Sequence, residues 1–513
     1  MGGPRVETVQ GTVEGTTQAG YQRFLGIPYA QPPIGRLRFR APQAPSPHAE
    51  TFMANTFGPH APQPFSMMEH FLGDGAPIVT DEAECLRLNV WTPSCDDARR
   101  PVMVWIHGGA FVSGTSATPW YDGARFCVDH DLVMVSFNYR LGVLGFTYLS
   151  DEFGSDLEGS GSLGIQDAVA ALRWVRENIA HFGGDPNNVT IFGESAGAMS
   201  VGTLLAMPGA QGLFHKAILQ SGAASSVTSI ETATRYTNEL MTILDLDRVD
   251  IDALQELPVT TLIEAHAALA AAHARQGLVS VPVIDGSIID RSPLEAIEEG
   301  AASDIPLLIG TNRDEWRLFA LFDQKFMATD AQGLASRLST LLSENAAATL
   351  ATYAQRLGDV SPALVLASAL SDSVFRVPAI RLAEAQHRGG GSAWMYLFTW
   401  AIPEAKNGLG SCHAVELPFV FNTLDKPAAE HFLGKDPPRQ LARDVNATWA
   451  AFARYGNPEH GAFGEWPPYD PIDRRTMIID LESRVQSDPF GDERALWWES
   501  PSQGHESSPT LAD

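Results

Sequence analysis

The sequence predicts an α/β fold in which a mostly parallel central sheet is covered by helices on both faces. Continuous apolar runs at 102–106 and 132–137 are typical of strands that are buried on both sides. Residues 164–180 carry apolar side chains at helical spacing, which predicts an amphipathic helix. The β-branched and aromatic run at 188–192 follows this helix and predicts a further buried strand.

The remaining elements extend this sheet and its helical layers. Alternating residues at 5–30 predict antiparallel hairpins, and the prolines of 28–47 predict an extended surface segment. Residues 58–83 have no period and predict a long loop, which either forms the rim of the site or packs away from it. Further strands are predicted at 86–91, 216–220, 305–310, 393–400 and 476–481.

The chain is predicted to form one catalytic domain at 1–496, followed by a disordered polar tail at 497–513. Ala-rich stretches at about 225–300 and 320–370 predict helical additions over the active site. With 513 residues, 44% of them hydrophobic, the chain is long enough to bury a large core.

Charge and cysteine usage exclude several classes of partner. The formal net charge of −26 argues against nucleic acid and against an anionic membrane, because both need a basic surface.

No run approaches 18 apolar residues, and the first residues lack an apolar signal core, so we expect a cytoplasmic protein. The four cysteines are expected to be reduced, with a Cys85–Cys95 bridge left open. Only five of the 35 lysine and arginine residues are lysines, which suggests a bacterial gene.

The motif that organises the chemistry is Gly193-Glu194-Ser195-Ala196-Gly197, a G-x-S-x-G sequence between a strand and a helix. This context predicts a sharp turn that lifts Ser195 above the sheet edge, at the N-terminus of the helix. The free N–H groups and partial positive charge of that end favour a developing oxyanion. A structural turn is the alternative for the motif taken alone.

A serine nucleophile needs a base, and the base needs a carboxylate that orients it. When the chain order is serine, acid, histidine, the acid follows the strand that ends at residue 310, which leaves Asp314 or Glu315. His413 follows the strand at 393–400 and is the best-placed base.

The sequence His107-Gly108-Gly109-Ala110 follows an earlier strand, where the second half of an oxyanion hole is expected. The N–H of Ala196 would supply the other donor. His107 is expected to be structural.

Separated motifs together resemble the type B carboxylesterases of the α/β-hydrolase fold, a family that includes bacterial p-nitrobenzyl esterases. The resemblance runs from about residue 6 to about residue 481. The motifs that carry it are Phe24-Leu25-Gly26-Ile27-Pro28-Tyr29-Ala30, Cys85-Leu86-Arg87-Leu88-Asn89-Val90, His107-Gly108-Gly109-Ala110-Phe111, Asn138-Tyr139-Arg140, Gly183-Gly184-Asp185-Pro186 and the serine motif.

The resemblance assigns the triad and the groups around it. It implies the triad of Ser195 as nucleophile, Glu315 as acid and His413 as base. It implies further site residues: the oxyanion donors Gly109, Ala110 and Ala196, and the supporting residues Gly108, Glu194 and Ser221. Ser221 is equally well explained as a strand-end cap. The sequence departs from secreted family members at Ala61, where those members carry a disulfide cysteine.

The expected function is therefore serine carboxylesterase activity through an acyl-enzyme intermediate, with no metal or organic cofactor. The Gly-Gly-Ala-x loop suggests that esters of bulky or tertiary alcohols are accepted. The expected partner is a small-molecule ester, with no nucleic acid or membrane, and the protein is expected to be a monomer or small homo-oligomer. The alternatives are a non-catalytic adhesion homologue of the same fold and a lipase.

Overall fold

A computed structural model describes residues 2–72, 78–153, 155–246, 250–274, 276–342, 346–403 and 408–498. The strands in this part of the chain are β1 (Arg5–Thr8), β2 (Gly11–Glu14), β3 (Thr16–Gln18), β4 (Tyr21–Pro28), β5 (Phe52–Met53), β6 (Arg87–Thr92), β7 (Arg100–Ile106), β8 (Val133–Phe137), β9 (Gly184–Glu194), β10 (Lys216–Gln220), β11 (Thr228–Ser229), β12 (Val283–Ile284), β13 (Leu307–Asn312), β14 (Ala393–Phe398), β15 (Arg475–Ile479) and β16 (Arg484–Ser487).

The central sheet has eleven strands in the order β16-β15-β14-β13-β10-β9-β7-β8-β6-β4-β3. The seven strands from β15 to β8 are parallel to their neighbours. The flanking strands β16, β6, β4 and β3 pair antiparallel. The predicted parallel sheet is thus confirmed.

The helices are α1 (Met67–Leu72), α2 (Ala124–His130), α3 (Gly142–Phe146), α4 (Ser150–Phe153), α5 (Leu163–Asn178), α6 (Ala196–Ala206), α7 (Ile230–Leu244), α8 (Ile251–Glu256), α9 (Val259–Ala272), α10 (Pro293–Glu298), α11 (Trp316–Leu321), α12 (Gln324–Met327), α13 (Ala331–Leu342), α14 (Ala346–Leu357), α15 (Pro362–Ser371), α16 (Val377–Arg388), α17 (Leu417–Val420), α18 (Pro427–Leu433), α19 (Arg439–Tyr455) and α20 (Gly491–Trp498). The helices α7–α10 and α11–α15 occupy the two stretches that were predicted as additions.

Alternate side chains of the inner strands enter two separate cores, because successive residues of a strand point to opposite faces. In β7, Val102 and Val104 pack into one core, whereas Met103 and Trp105 pack into the other. Helices α5, α6 and α16 cover the first face, and α2 and α19 cover the second. Helices on both faces explain why the inner strands are apolar along their whole length.

The structure adds detail at three places. Strand β16 was not predicted, since Arg484–Ser487 is a polar edge strand without an apolar alternation. The segment 28–47 contains a single 3₁₀ turn at Gly35–Leu37, and the 58–83 loop contains α1. Residues 497 and 498 belong to α20, and the rest of the predicted tail lies outside the described residues.

One helical stretch, Pro362–Arg388, is long and apolar enough to cross a membrane by length and composition. In this stretch, α15 and α16 are joined by a π-helical turn at Asp372–Arg376. Of its most apolar window, 78% is buried inside the protein. This degree of burial is typical of a core helix, whose apolar side chains face neighbouring protein elements.

Candidate active site

Five neighbouring strands of the parallel run end at one edge of the sheet, in the order β14, β13, β10, β9, β7. Adjacent strands lie about 4.8 Å apart, so groups that follow neighbouring strand ends come within contact distance. The residues that follow these ends are the sequence-predicted ones: His413, Glu315, Ser221, Ser195 and Gly108.

Ser195 lies in a strained turn between β9 and α6. Its backbone has φ 56° and ψ −125°, a conformation that residues with a Cβ rarely adopt. A Cβ on Gly193 would lie 2.5 Å from the carbonyl carbon of Gly197, and one on Gly197 would lie 2.0 Å from the oxygen of Ile106. The two glycines of the motif are therefore required by close backbone packing, and the serine is held at the start of α6.

Glu315 and His413 are joined directly. Nδ1 of His413 lies 2.6 Å from Oε2 of Glu315, which is fully buried. The other oxygen, Oε1, accepts hydrogen bonds from Ser221 Oγ at 2.5 Å and from the Asn312 N–H at 2.7 Å. With both oxygens engaged, the carboxylate is fixed in orientation, and Ser221 contacts the acid as expected from the resemblance.

The second imidazole nitrogen of His413 faces Glu194. Nε2 lies 3.0 Å from Glu194 Oε1, within ion-pair distance, although Oε1 receives no aligned hydrogen bond from a described residue. No hydrogen bond joins His413 to Ser195 Oγ among the residues that the structure covers. Glu194 directly precedes Ser195, so the group that faces Nε2 and the serine are neighbours in sequence. Catalytic hydrogen bonds are often long in structures without substrate.

The surroundings of His413 favour its charged form. Burial alone would lower the pKa of this imidazole, but the charges of Glu194 and Glu315 and their contacts raise it well above its usual value. The two carboxylates therefore stabilise the imidazolium relative to the neutral ring.

The loop after β7 carries backbone N–H groups that are not used within the loop. Gly109 and Ala110 have φ values of 114° and 54°, and the Gly109 carbonyl accepts hydrogen bonds from Val112 and Ser113. In the described part of the chain, the N–H groups of Gly109 and Ala110 donate to no other group. Ala196 is the first residue of α6, where an N–H has no partner within the helix.

Gly108 lies against Ser195. A Cβ at this position would lie 2.8 Å from the Glu194 carbonyl oxygen and 3.1 Å from the Ser195 Cβ. The loop can approach the serine this closely only because residue 108 has no side chain.

Asp314, the alternative acid, has a different set of partners. Its carboxylate pairs with Arg313 at 2.8 Å and with Arg317 at 3.2 Å, and it accepts from the Ser411 N–H. Burial would raise the pKa of Asp314, but the two arginines lower it. These contacts give Asp314 a structural role, in which it joins the loops that carry Glu315 and His413.

His107 is likewise placed as a structural residue. Its ring stacks on Tyr139 with centroids 4.4 Å apart, and Nδ1 donates to the Gly108 carbonyl at 2.8 Å. Burial lowers the pKa of His107 to about 4, so the imidazole is neutral at pH 7.

Sequence reasoning missed a buried polar network next to Glu315. Glu416 accepts hydrogen bonds from Asn312 Nδ2 at 2.6 Å and from Gln220 Nε2 at 3.0 Å. Burial, together with the charges of Glu194 and Glu315, raises the pKa of Glu416 to about 8. The available signal was position, because Asn312 and Gln220 are polar residues at the ends of apolar strands.

All four cysteines carry free thiols, so Cys85 and Cys95 do not pair. Cys85 Sγ instead contacts the carbonyl of Glu82 at 3.4 Å. Cys412, next to His413, is fully buried, and burial together with the nearby carboxylates raises its pKa well above the usual value.

Comparison with known proteins identifies the family of the chain. Residues 2–497 match the carboxylesterase family, and the chain belongs to this family. It is a carboxylic ester hydrolase of the α/β-hydrolase fold.

Individual relatives resemble the chain over nearly its whole length. The para-nitrobenzyl esterase of Bacillus subtilis is 38% identical over 508 residues, which cover 97% of this chain and 99% of that protein. The phenmedipham hydrolase of Pseudarthrobacter oxydans is 35% identical and covers 93% and 95% of the two chains. A solved carboxylesterase of Geobacillus stearothermophilus superposes with a TM-score of 0.87 at 38% identity, covering 96% of this chain and 99% of that one.

Proposed function

We propose that the protein hydrolyses carboxylic esters with Ser195 as nucleophile, His413 as base and Glu315 as orienting acid. The observation that carries the proposal is the 2.6 Å contact between Glu315 and the imidazole of His413, beside a serine held on a strained turn. Glu315 fixes the proton on Nδ1, which leaves Nε2 to act as the base.

In the first half of the reaction, Nε2 takes the proton of Ser195 Oγ while Oγ bonds to the ester carbonyl carbon. The negative oxygen that forms is bound by the N–H groups of Gly109, Ala110 and Ala196, each worth about 3 kcal/mol. The C–O bond to the alcohol then breaks as Nε2 returns the proton to the alcohol oxygen. Water then bonds to the acyl carbon while the same nitrogen takes its proton, and the bond from this carbon to Ser195 Oγ breaks as Nε2 returns the proton to Oγ.

The first test replaces Ser195 by alanine. We expect the hydrolysis of p-nitrophenyl acetate to fall by more than about 10⁴-fold, because removing a triad member leaves little beyond binding and oxyanion stabilisation. The circular dichroism spectrum should stay unchanged. Ser200→Ala is the matched control, since this buried serine lies on the same helix and its hydroxyl donates to the Ala196 carbonyl. Equal turnover by wild type and Ser195→Ala would end the proposal.

We further propose that the enzyme accepts esters of bulky and tertiary alcohols. In resembling esterases a Gly-Gly-Ala-x loop leaves space beside the oxyanion hole, and residues 108–111 have this sequence. Measurable hydrolysis of tert-butyl acetate is expected. A second substrate class to assay is the p-nitrobenzyl esters, after which the Bacillus relative is named. Cleavage of n-butyl acetate with no detectable cleavage of tert-butyl acetate would contradict this extension.

A further inference from the structure

The π-helical turn at Asp372–Arg376 interrupts the long helix of α15 and α16 next to the active site. Such turns are rare and frequently occur at functional sites. Phe375 lies in this turn and is 3% exposed. Its ring centroid is 4.9 Å from that of the His413 imidazole, and the two planes are tilted by 40°.

A second aromatic ring also contacts the imidazole. Phe319 of α11 lies 5.0 Å from the His413 ring and stacks on Phe375, with centroids 6.1 Å apart and planes 9° apart. Trp316 packs behind both phenylalanines, at 5.0 Å from Phe319 and 6.4 Å from Phe375. The imidazole therefore contacts two flat apolar rings in addition to its carboxylate partners.

The turn is fastened at both ends by buried polar contacts. Arg376 pairs with Asp372 through Nε–Oδ1 at 2.6 Å and Nη2–Oδ2 at 2.8 Å, and both residues are 6% exposed. Tyr353 donates to Asp372 Oδ2 at 2.5 Å, and Arg376 Nη1 donates to the Pro489 carbonyl at 3.0 Å. A charged pair that is buried and bonded on all sides holds the backbone of this turn in one arrangement.

These contacts matter because one nitrogen of His413 is fixed and the other must move. Nδ1 is held by Glu315, while Nε2 rests 3.0 Å from Glu194 and must reach Ser195 for the reaction. We propose that Phe375, held by the π-helical turn, is a positioning residue that limits the tilt of the His413 imidazole, so that Nε2 reaches the hydroxyl of Ser195. The inference rests on the roles proposed above for Ser195 and His413.

The test is Phe375→Leu in the full chain, which removes the flat ring and keeps an apolar side chain. We expect kcat for p-nitrophenyl acetate to fall roughly tenfold, because small displacements of a catalytic group are costly, with KM changed by less than about twofold. The charged groups that face the imidazole are Glu194 and Glu315, with Glu416 behind them. The substitution leaves these carboxylates in place, so a shift of the acidic limb of kcat/KM can be attributed to the loss of the Phe375 ring. We expect this limb to move down by roughly half a pH unit, as a contact between a cation and an aromatic face is lost.

The matched control is Phe326→Leu. Phe326 is also 3% exposed and belongs to the same apolar cluster, but it makes no ring contact with His413 among the described residues. We expect wild-type kcat and an unshifted acidic limb in this variant. Equal loss and equal shift in both variants would overturn the inference, because packing of the cluster would then explain the effect.

A comparison of Ser195→Ala with Phe375→Leu separates failure of this inference from failure of the proposed function. If Ser195→Ala is inactive while Phe375→Leu keeps wild-type kcat and pH profile, the positioning role is wrong and the proposed function stands. If Ser195→Ala stays active, the proposed function itself fails. Should Phe375→Leu not fold, Phe375→Met gives the same comparison with an unbranched side chain that adapts to the site.

Discussion

At the scale of single residues, the two adjacent acids Asp314 and Glu315 show how neighbours in sequence acquire different tasks. Glu315 faces the imidazole and two hydrogen-bond donors, whereas Asp314 faces two arginines and a backbone N–H. Position along the chain could not separate them, because both follow β13. Only the resemblance favoured Glu315, and the contacts explain that preference physically.

Amide substitutions test this division. Glu315→Gln should lower kcat by roughly 10³–10⁴-fold, because the His413 tautomer with its proton on Nε2, which cannot act as the base, is then favoured. Asp314→Asn should instead lower the free energy of unfolding by about 3 kcal/mol, since it leaves Arg313 and Arg317 without their buried partner. Steady-state kinetics of both variants gives kcat, and urea titration gives the free energy of unfolding. A larger kinetic loss in Asp314→Asn would reverse the assignment.

At the scale of elements, the loop after β7 depends on glycine for two different reasons. Gly108 allows a close approach to Ser195, while Gly109 combines a positive φ with a Cβ position only 2.1 Å from the Ser113 carbonyl oxygen. A side chain at residue 109 would therefore displace the loop that presents the Ala110 N–H.

Gly109→Ala should reduce kcat by roughly 10²–10³-fold, the loss expected when an oxyanion donor is misplaced. The control is Gly212→Ala, at a glycine with φ 74° where a Cβ would meet nothing within 4 Å. It should cost about 1 kcal/mol of stability or less and leave kcat unchanged. Thermal unfolding and kcat measured on both proteins distinguish loop displacement from ordinary backbone strain. Wild-type kcat in Gly109→Ala would show that this loop does not form the oxyanion hole.

Most of the strands could be predicted from the sequence, because strands buried on both faces have continuous apolar runs. The short and polar elements could not, since β16 has no apolar periodicity and α1 lies in a loop without a pattern. In the site, Ser195 and His413 were accessible from motif and chain order, whereas only the family resemblance separated Glu315 from Asp314. Phe375 and Glu416 were not accessible, because their importance comes from contacts between elements far apart in the chain.

At the scale of the whole molecule, the charge state of the site links activity and stability to pH. The raised pKa of His413 means that its neutral, reactive form is populated only above the usual histidine range. The acidic limb of kcat/KM should therefore lie above pH 6.5. Glu194→Gln removes one of the two carboxylates that raise this pKa, so the limb should move to lower pH.

Stability should respond in the opposite sense. The imidazolium contacts contribute their full stabilisation below the unfolded pKa, near pH 6.5, and lose it as the pH rises through the raised folded pKa. The difference in unfolding temperature between wild type and Glu194→Gln should be largest near pH 6 and narrow towards alkaline pH. Glu264→Gln, at an exposed position of α9, is the control and should show no such trend. A difference that widens with pH would contradict this assignment.

The strained turn at Ser195 sets two kinds of selection against each other. A residue with φ 56° and ψ −125° is held there by its neighbours, and glycine would occupy the same backbone with less penalty. A laboratory evolution scheme that rewarded heat survival alone would be expected to drift towards glycine at residue 195. The same library screened for ester turnover would keep serine. The residue found at position 195 would therefore show whether stability or turnover had been selected.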